Sequence, residues 1–595
     1  MKELSFLNQY FLKYKWRFLL GIIFVSLSNY FRVLMPVTIR EALDFVFENI
    51  QQYKLYTGFE LQENFYTFIS TNLILFGGLV LLFAAIMGVF MYFMRQTIIV
   101  MSRLIEYDMR KLIFNHYQGL DTAFYKKNKT GDLMSRITED VSKVRMYLGP
   151  AILYGINLVS LFAIVIVSMF RVSTTLTLWT LLPLPFLSLS IYIVSSIIHS
   201  KSSVIQKQLG FLTSISQEVY SGIRIIKSYV QEGKFAKYFL YESNNYKNKS
   251  LELARVNALF FPLMLLLISI STIITIYVGG LEVVKGNITP GNIAEFVIYV
   301  NMLTWPVTSI GWIASIIQQA SASQERINEF LDTTPTITSS TDQPFQLTSE
   351  IKFENVDFVY PDTGIQALSN INLTIGKGEK IAIIGRTASG KTSIAELILR
   401  MYDVTGGKIT IDGQDIKDIN LDALRQDIAY VPQDLFLFSD TIENNIGFGI
   451  DEYHREEIEK YAEYASINKE IKELPNGYDA LVGERGVTLS GGQKQRISIA
   501  RALIKKPDIV ILDDCLSAVD TKTEQKILSY LKNELSAKTA IIITHRIQSL
   551  IDFDQIIVLD EGQIVERGKH KELIDLQGYY YDILEQQQLE EKEIS

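Results

Sequence analysis

The 595-residue chain is 48% hydrophobic and carries a formal net charge of −8. That balance offers no electrostatic footing for nucleic acid. A single cysteine, Cys515, excludes an intramolecular disulfide and any multi-cysteine metal site, and is compatible with a reducing compartment for the soluble part.

The apolar residues are unevenly spread: long runs extend to about Ser323, and beyond it charged and apolar residues alternate as in a soluble α/β domain. At the start, Phe6, Leu7, Tyr10, Phe11 and Tyr14 mark an amphipathic stretch, read as an elbow helix lying along the membrane interface. Six segments then reach the roughly 20 apolar residues a spanning helix needs: residues 18–39, 73–94, 148–170, 176–198, 259–283 and 293–317. No small-residue cleavage site follows the first, so it is not read as a signal peptide.

Basic residues set the orientation. Lys13, Lys15 and Arg17 precede the first span. The connection between spans two and three carries a series from Arg95 and Arg103 through Lys126, Lys127 and Lys129 to Arg145. That between spans four and five carries Lys201, Lys207, Arg224, Lys227, Lys234 and Lys237, whereas the first connection has only Arg40 and Lys54. Positive-inside logic puts both termini and the two long connections in the cytoplasm. Both connections read as helical, so spans two to five are predicted to run past the bilayer as two cytoplasmic hairpins. Arg32 lies inside the first span, either facing a cavity or snorkelling toward the outer end. Asn157, Glu295, Asn301 and Trp305, with Tyr154 and Tyr299, either line a mixed polar and apolar cavity or pack between helices.

Residues 1–325 are thus predicted to form a transmembrane domain and 326–350 a linker, its Leu331–Ser349 stretch rich in Thr, Ser and Pro. A nucleotide-binding domain follows over 351–590. Within it, Gly385-Arg386-Thr387-Ala388-Ser389-Gly390-Lys391-Thr392 follows an apolar strand-like run and precedes a helical stretch that begins at Ser393. That context makes it a phosphate-binding loop: backbone N–H groups cradle phosphates at a helix N-terminus, Lys391 reaches them and Thr392 holds Mg²⁺. Ile509-Val510-Ile511-Leu512-Asp513 reads as a buried parallel strand ending in the carboxylate that orients Mg²⁺.

Leu489-Ser490-Gly491-Gly492-Gln493, downstream of the phosphate loop, resembles the signature of the ATP-binding cassette (ABC) family, and the topology resembles its exporter branch over nearly the whole chain. The resemblance implies an α-helical transmembrane bundle of six spans fused to an α/β P-loop ATPase cassette. It implies short coupling helices at the hairpin tips, near residues 121–129 and 221–229. Tyr360 would stack on adenine, ordinary strand packing being the alternative. Residues Gly385 to Ser393 would bind ATP held by this chain, and Ser490, Gly491, Gly492 and Gln493 would close over ATP held by another cassette. Gln433, in Val431-Pro432-Gln433, would reach Mg²⁺ and the γ-phosphate and serve catalysis. Gly483-Glu484-Arg485-Gly486 resembles the exporter-specific loop, Ser517-Ala518-Val519-Asp520 the loop that crosses to the partner cassette, and His545 the switch histidine. The other histidines, His116, His199, His454 and His570, fit no such group.

Two positions depart from the family pattern. Ala388 stands where many members have glycine, and ATP binding is expected to survive it. Asp514 stands where the water-polarising glutamate is usual, one methylene shorter, with its oxygens about 1–1.5 Å back, enough to cost around 10²-fold. An aspartate there resembles the hydrolytically weak half of a heterodimeric exporter, with a slow homodimer as the alternative. The sequence thus predicts an ATP- and Mg²⁺-dependent exporter in the cell (inner) membrane, cassette in the cytoplasm. It would move an amphipathic lipid, drug or peptide and contact membrane lipids, and no nucleic acid. An ATP-gated channel is the runner-up, and six apolar spans argue against the non-transporting ATPases of the superfamily.

Overall fold

In the computed structural model, the apolar runs of the N-terminal part are helices that outrun a bilayer. The structure describes residues 3–594 apart from 340, 342, 344, 484, 485, 487, 535–537 and 546–552. They group into two units, Met1–Gln118 with Gly131–Thr333, and Gly119–Thr130 with Thr334–Ser595. The Glu484 and Arg485 of the expected exporter-specific loop lie outside the described residues.

In the first unit a 3₁₀ turn leads into α1 (Asn8–Lys13), with Leu4, Leu7 and Tyr10 buried on one side as the amphipathic pattern requires. Then come α2 (Lys15–Leu55) and α3 (Leu61–Gly119). The 59 residues of α3 make a rod on the order of 90 Å long, against a hydrocarbon core of about 30 Å. The most apolar stretch of α3 buries none of its residues against protein, and Ile74, Leu75, Leu81 and Leu82 are exposed, a surface that suits lipid rather than water.

The first hairpin tip is the short helix α4 (Thr122–Lys127), which groups with the second unit; its N-cap Asp121 accepts from the Phe124 N–H. The return limb is α5 (Thr130–Ser135), α6 (Val141–Met146) and α7 (Ile152–Val172), separated by π-helical turns at Arg136–Asp140 and Tyr147–Ala151. Pro150 lies in the second turn, where a wider backbone accommodates its missing N–H. Next are α8 (Thr174–Leu181), α9 (Pro183–Ser221), the second tip α10 (Ile223–Ser228), α11 (Glu232–Val284) and α12 (Pro290–Leu331).

Among the described residues, five helices are long and apolar enough to cross a membrane. The fourth expected span is divided instead: α8 stops at Leu181, and Pro183, which cannot donate back into α8, begins α9. The core of this unit gathers Val33, Leu161, Val165, Met169, Phe296, Tyr299 and Leu303 from α2, α7 and α12.

The second unit holds two sheets. The smaller is antiparallel, in the order β2-β1-β4-β5: β1 (Glu350–Val359), β2 (Gln366–Gly376), β4 (Gly406–Ile411) and β5 (Gln414–Asp415). The larger runs β10-β9-β3-β8-β7-β6, with β3 (Lys380–Gly385), β6 (Ile428–Val431), β7 (Ile509–Asp513), β8 (Thr539–Ile543), β9 (Gln555–Asp560) and β10 (Gln563–Gly568). From β9 to β6 every pairing is parallel. A parallel sheet needs both faces covered, and β7 and β8 are buried along their whole length. Alternate residues sort to opposite faces: Ile509, Ile511, Ile541 and Ile543 join one core, and Val510, Leu512, Ala540 and Ile542 the other.

The coverings are helices. α13 (Lys391–Ile398) follows β3, and α14 (Leu421–Asp427) precedes β6. The segment that ends at β7 contains α15 (Ile442–Gly447), α16 (Arg455–Tyr464), α17 (Asn468–Glu473) and α18 (Gly491–Ile504), and α19 (Thr521–Glu534), α20 (His570–Leu576) and α21 (Tyr579–Ile594) complete the unit.

Candidate functional site

Parallel strands end at a common edge, and crevices beyond their carboxyl ends are where such sheets bind ligands. Four of these strands each deliver one expected motif to that edge. β3 ends at Gly385 and opens the phosphate loop, and β6 ends at Val431 just before Gln433. β7 ends at Asp513, and β8 ends two residues before His545. A cavity of about 560 Å³ lies there, lined by Tyr360, Thr387 to Ser393, Gln433, Asp513, Asp514 and His545. Residues far apart in sequence therefore meet because one sheet edge collects them.

The phosphate loop is shaped by backbone that only small residues allow. Gly385 has φ +151° and Gly390 φ +98°, and a Cβ on either would run into the carbonyls of Leu559 and Ala367 respectively. Ala388 also sits in the left-handed region, at φ +66°. Its departure from glycine therefore carries a strain of about 1–2 kcal/mol that sequence reasoning did not foresee. Lys391 starts α13, and its ammonium donates to the carbonyls of Gly385 at 2.9 Å and Arg386 at 2.7 Å, which holds the cation inside the curl of the loop. Burial lowers its pKa, while Asp513 and Asp514 pull the other way.

Asp513 is 1% exposed, and one of its carboxylate oxygens, Oδ2, is buried without a hydrogen-bond partner. Burial raises its pKa, against a hydrogen bond from Thr392. A buried, under-satisfied carboxylate beside a threonine hydroxyl is a donor set that fits a hard divalent cation such as Mg²⁺. His545 has its pKa lowered by burial and by Lys391, so its imidazole is neutral at pH 7.

Tyr360 is fixed by its hydroxyl, which is 2.9 Å from Ser393 Oγ and donates to Glu396 at 2.9 Å, and by edge-on packing against Phe358 and Tyr402. Strand packing and a place in the cavity wall therefore coexist at this residue. Arg386 points elsewhere, its guanidinium lying 5.5 Å from the Tyr579 ring centroid of α21.

Ser490, Gly491, Gly492 and Gln493 do not line this cavity. Ser490 caps α18 in a reciprocal box with Gln493, whose amide also donates to Glu470 at 3.1 Å. Sequence reasoning missed Lys126 and Thr363 in the cavity wall and Glu396 behind Tyr360. No local pattern marks Thr363 or Glu396, and Lys126 reads only as one more basic residue of a cytoplasmic hairpin.

The membrane unit has its own cavity of about 840 Å³, lined by Tyr154, Phe260, Met264, Asn301, Trp305 and Trp312 among others, with no charged residue among the described lining. Three of the polar and aromatic candidates thus share it. Glu295 and Tyr299 do not: Glu295 is 1% exposed, paired with Arg40 at 3.2 Å, and accepts from Tyr299 at 2.8 Å. The Asn157 carbonyl accepts from Asn29 between α2 and α7, and Arg32 is half-buried in α2.

Two family models match the chain, the ABC transporter transmembrane region over residues 18–307 and the ABC transporter domain over 368–517. A probable multidrug resistance ABC transporter ATP-binding/permease protein, YheI of Bacillus subtilis, is 37% identical over 525 residues, covering 88% of this chain and 90% of the relative. The multidrug resistance-like ATP-binding protein MdlA of Escherichia coli is 34% identical, covering 88% and 89%. An ATP-dependent lipid A-core flippase of Syntrophus aciditrophicus is 36% identical, covering 82% and 81%. Among solved structures, a bacterial Atm1-family ABC exporter with ATP bound superposes with a TM-score of 0.77 at 25% identity, covering 96% of this chain and 99% of the other.

Proposed function

The chain belongs to the ABC transporter family, as an exporter with its membrane region fused to its ATPase cassette, and on that premise we propose that it moves an amphipathic molecule out of the cytoplasm or inner leaflet. The observation that carries the substrate class is the 840 Å³ cavity of the membrane unit, walled by Trp305, Trp312, Tyr154 and aliphatic side chains. Asn301, Thr304 and Ser309 are its polar groups. Such a wall suits a ligand with a large apolar body and a small hydrogen-bonding head. The names of the multidrug and lipid A-core relatives are consistent with that class.

The ATP site works with residues of two cassettes in this reading. Residues Gly385 to Ser393 hold the phosphates and Tyr360 the adenine. Ser490 to Gln493, remote from that cavity in their own chain, serve the nucleotide of a second cassette. Mg²⁺, held through Thr392, Asp513 and Gln433, would offset phosphate charge. Asp514 and the neutral His545 position the attacking water. Contacts made only when two cassettes close on ATP are the differential interaction that drives alternating access. Asp514, short for its task, supports a partner of different sequence that supplies the faster site; a slow homodimer is the second reading. The basic cytoplasmic connections support a multi-pass protein of the cell (inner) membrane with its cassette in the cytoplasm.

The test is reconstitution of the purified chain, alone and with a candidate partner half, into liposomes. ATP-dependent uptake of a fluorescent amphipathic dye or lipid into the population with outward cassettes is expected. ATP-gated leakage down a gradient, without accumulation, would favour the channel instead.

A further inference from the structure

The first hairpin tip contributes a side chain to the nucleotide cavity. α4 is tied down at its first turn: the Asp121 carboxylate accepts from the backbone N–H and the hydroxyl of Thr336 at 2.9 and 2.5 Å. Ala123 packs against the core that β1, β2 and α13 share. One turn further on, Lys126 extends over two rings, its Nζ 4.9 Å from the Tyr360 centroid and 5.0 Å from that of Tyr402. Glu396 Oε1 is 3.5 Å away. Burial works against the charge, but Tyr402 and Glu396 outweigh it and leave Lys126 above the ordinary lysine value, so it is a cation at any working pH.

An ion pair with Glu396 alone does not account for this placement. At 3.5 Å with 41% of the lysine side chain exposed, solvent screens it to little net worth, and Glu396 already accepts from the Tyr360 hydroxyl. The ammonium instead lies in the wall of the cavity that also contains Lys391, Thr392 and Asp513. A flat ring stacked on Tyr360 would lie about 3.5–4 Å from it, entering the space where the ammonium now lies 4.9 Å from the centroid. The flexible lysine side chain, 41% exposed, would then move to the edge of the purine. Purine nitrogens accept hydrogen bonds in the ring plane, and the faces of the ring attract cations.

We propose that Lys126 is a purine-contacting residue of the ATP site, so that the tip of the first hairpin binds nucleotide directly at the adenine end, apart from the phosphate end served by Gln433. The proposal rests on the reading of Tyr360 as the adenine platform. By linkage, any state that changes nucleotide affinity at this end is felt at α4, and the reverse.

The experiment measures equilibrium binding of MgATP to the purified full-length chain, with Mg-tripolyphosphate as a competitor that has phosphates and no purine. Lys126→Ala is expected to weaken MgATP binding about three- to tenfold, the span of a partly exposed cation–π and hydrogen-bond contact, and to leave tripolyphosphate unaffected. Lys126→Arg should stay within about twofold of wild type, since guanidinium keeps a cation at the purine. Tyr360→Leu should show the same purine-only loss, and the double variant less than the product of the two. An unchanged MgATP affinity in Lys126→Ala, where Tyr360→Leu does weaken binding, overturns the inference and spares the platform. Equal losses for MgATP and tripolyphosphate overturn it as well, as does an arginine variant that behaves like alanine. If Tyr360→Leu binds MgATP as wild type does, the platform reading itself fails.

Discussion

The backbone N–H of Asp514 donates to the carbonyl of Ile543 at 2.8 Å, so the residue after the buried Asp513 is clamped to the end of the strand that delivers His545. Asp514 also takes a left-handed backbone, φ +45°. Its Cα is thereby fixed from both sides, and backbone adjustment is a costly way to make good the missing methylene of a glutamate. The side chain's shorter reach is a property of the site and not of one rotamer.

Lys391→Ala removes the cation that the carbonyls of Gly385 and Arg386 hold in the curl of the phosphate loop. MgATP binding at this chain's own site is expected to fall by at least about 30-fold, the range for losing a charge-assisted contact with phosphate. Equilibrium binding with the purified chain checks it, and an affinity within threefold of wild type would contradict the phosphate-loop assignment.

At Ala388 the strain argues for a contrast between two variants. Ala388→Gly relieves the left-handed penalty but loosens the unfolded chain, so MgATP affinity should change less than about threefold. Ala388→Val adds a β-branched side chain at φ +66°, where such residues are outliers, and should weaken binding by about tenfold or more. Similar affinities for glycine and valine variants would show that the loop does not need this backbone.

The outer part of α2 and α12 gives a stability prediction. Arg40→Ala strips the partner from the buried Glu295 carboxylate, although Tyr299 and Asn292 still donate to it. A cost of about 1–3 kcal/mol is expected, read as earlier thermal unfolding of the protein in nanodiscs. Replacing both, with Arg40→Met and Glu295→Met, should recover most of it, because a buried pair exchanged for apolar side chains is often neutral. A double variant less stable than Arg40→Ala would sink that account.

The order of motifs was readable in the sequence because each needs fixed residue types at a strand end: Gly385, Gln433, Asp513 and His545 follow apolar runs that can only be buried strands. Their meeting in one cavity follows from parallel topology. What escaped was set by tertiary placement or by backbone. The same alanine symbol stands at a relaxed or a strained φ, so Ala388 looked harmless. The break at Leu182 was hidden because residues 176–198 are apolar enough to span, with only uncharged residues such as Thr and Ser interrupting them, and Pro183 and Pro185 were the sole signs. Glu295 and Asn301 looked alike as polar residues in a span, yet one is locked to Arg40 and the other lines a cavity. Periodicity does not separate such neighbours when both faces of a helix meet protein or lipid.

Trp305 and Trp312 on α12 offer the aromatic faces of the membrane cavity. Changing both to alanine is expected to raise the apparent KM for an amphipathic substrate by about tenfold, at roughly 0.7 kcal/mol per lost aromatic contact. Basal ATPase should persist. Transport in proteoliposomes against substrate-free ATPase separates the two, and equal loss of both would point to a packing role for the tryptophans.

Asp514 decides how the chain is assembled. In a pair with a faster partner site, this chain's own site contributes little turnover. Asp514→Asn should then change the ATPase rate of the assembled pair by less than about twofold, and Asp514→Glu, which restores the reach, should raise it. In a homodimer Asp514 is the carboxylate that positions water at both sites. Asp514→Asn keeps the size and removes the charge, so turnover should fall by about 10²-fold while ATP remains bound and the closed dimer accumulates. Steady-state ATPase and oligomeric state are measured on wild type and both variants, with and without a partner half. A chain that dimerises alone, hydrolyses ATP and loses that activity with Asp514→Asn rules out the heterodimer; a silent Asp514→Asn in an active pair rules out the homodimer as the working form.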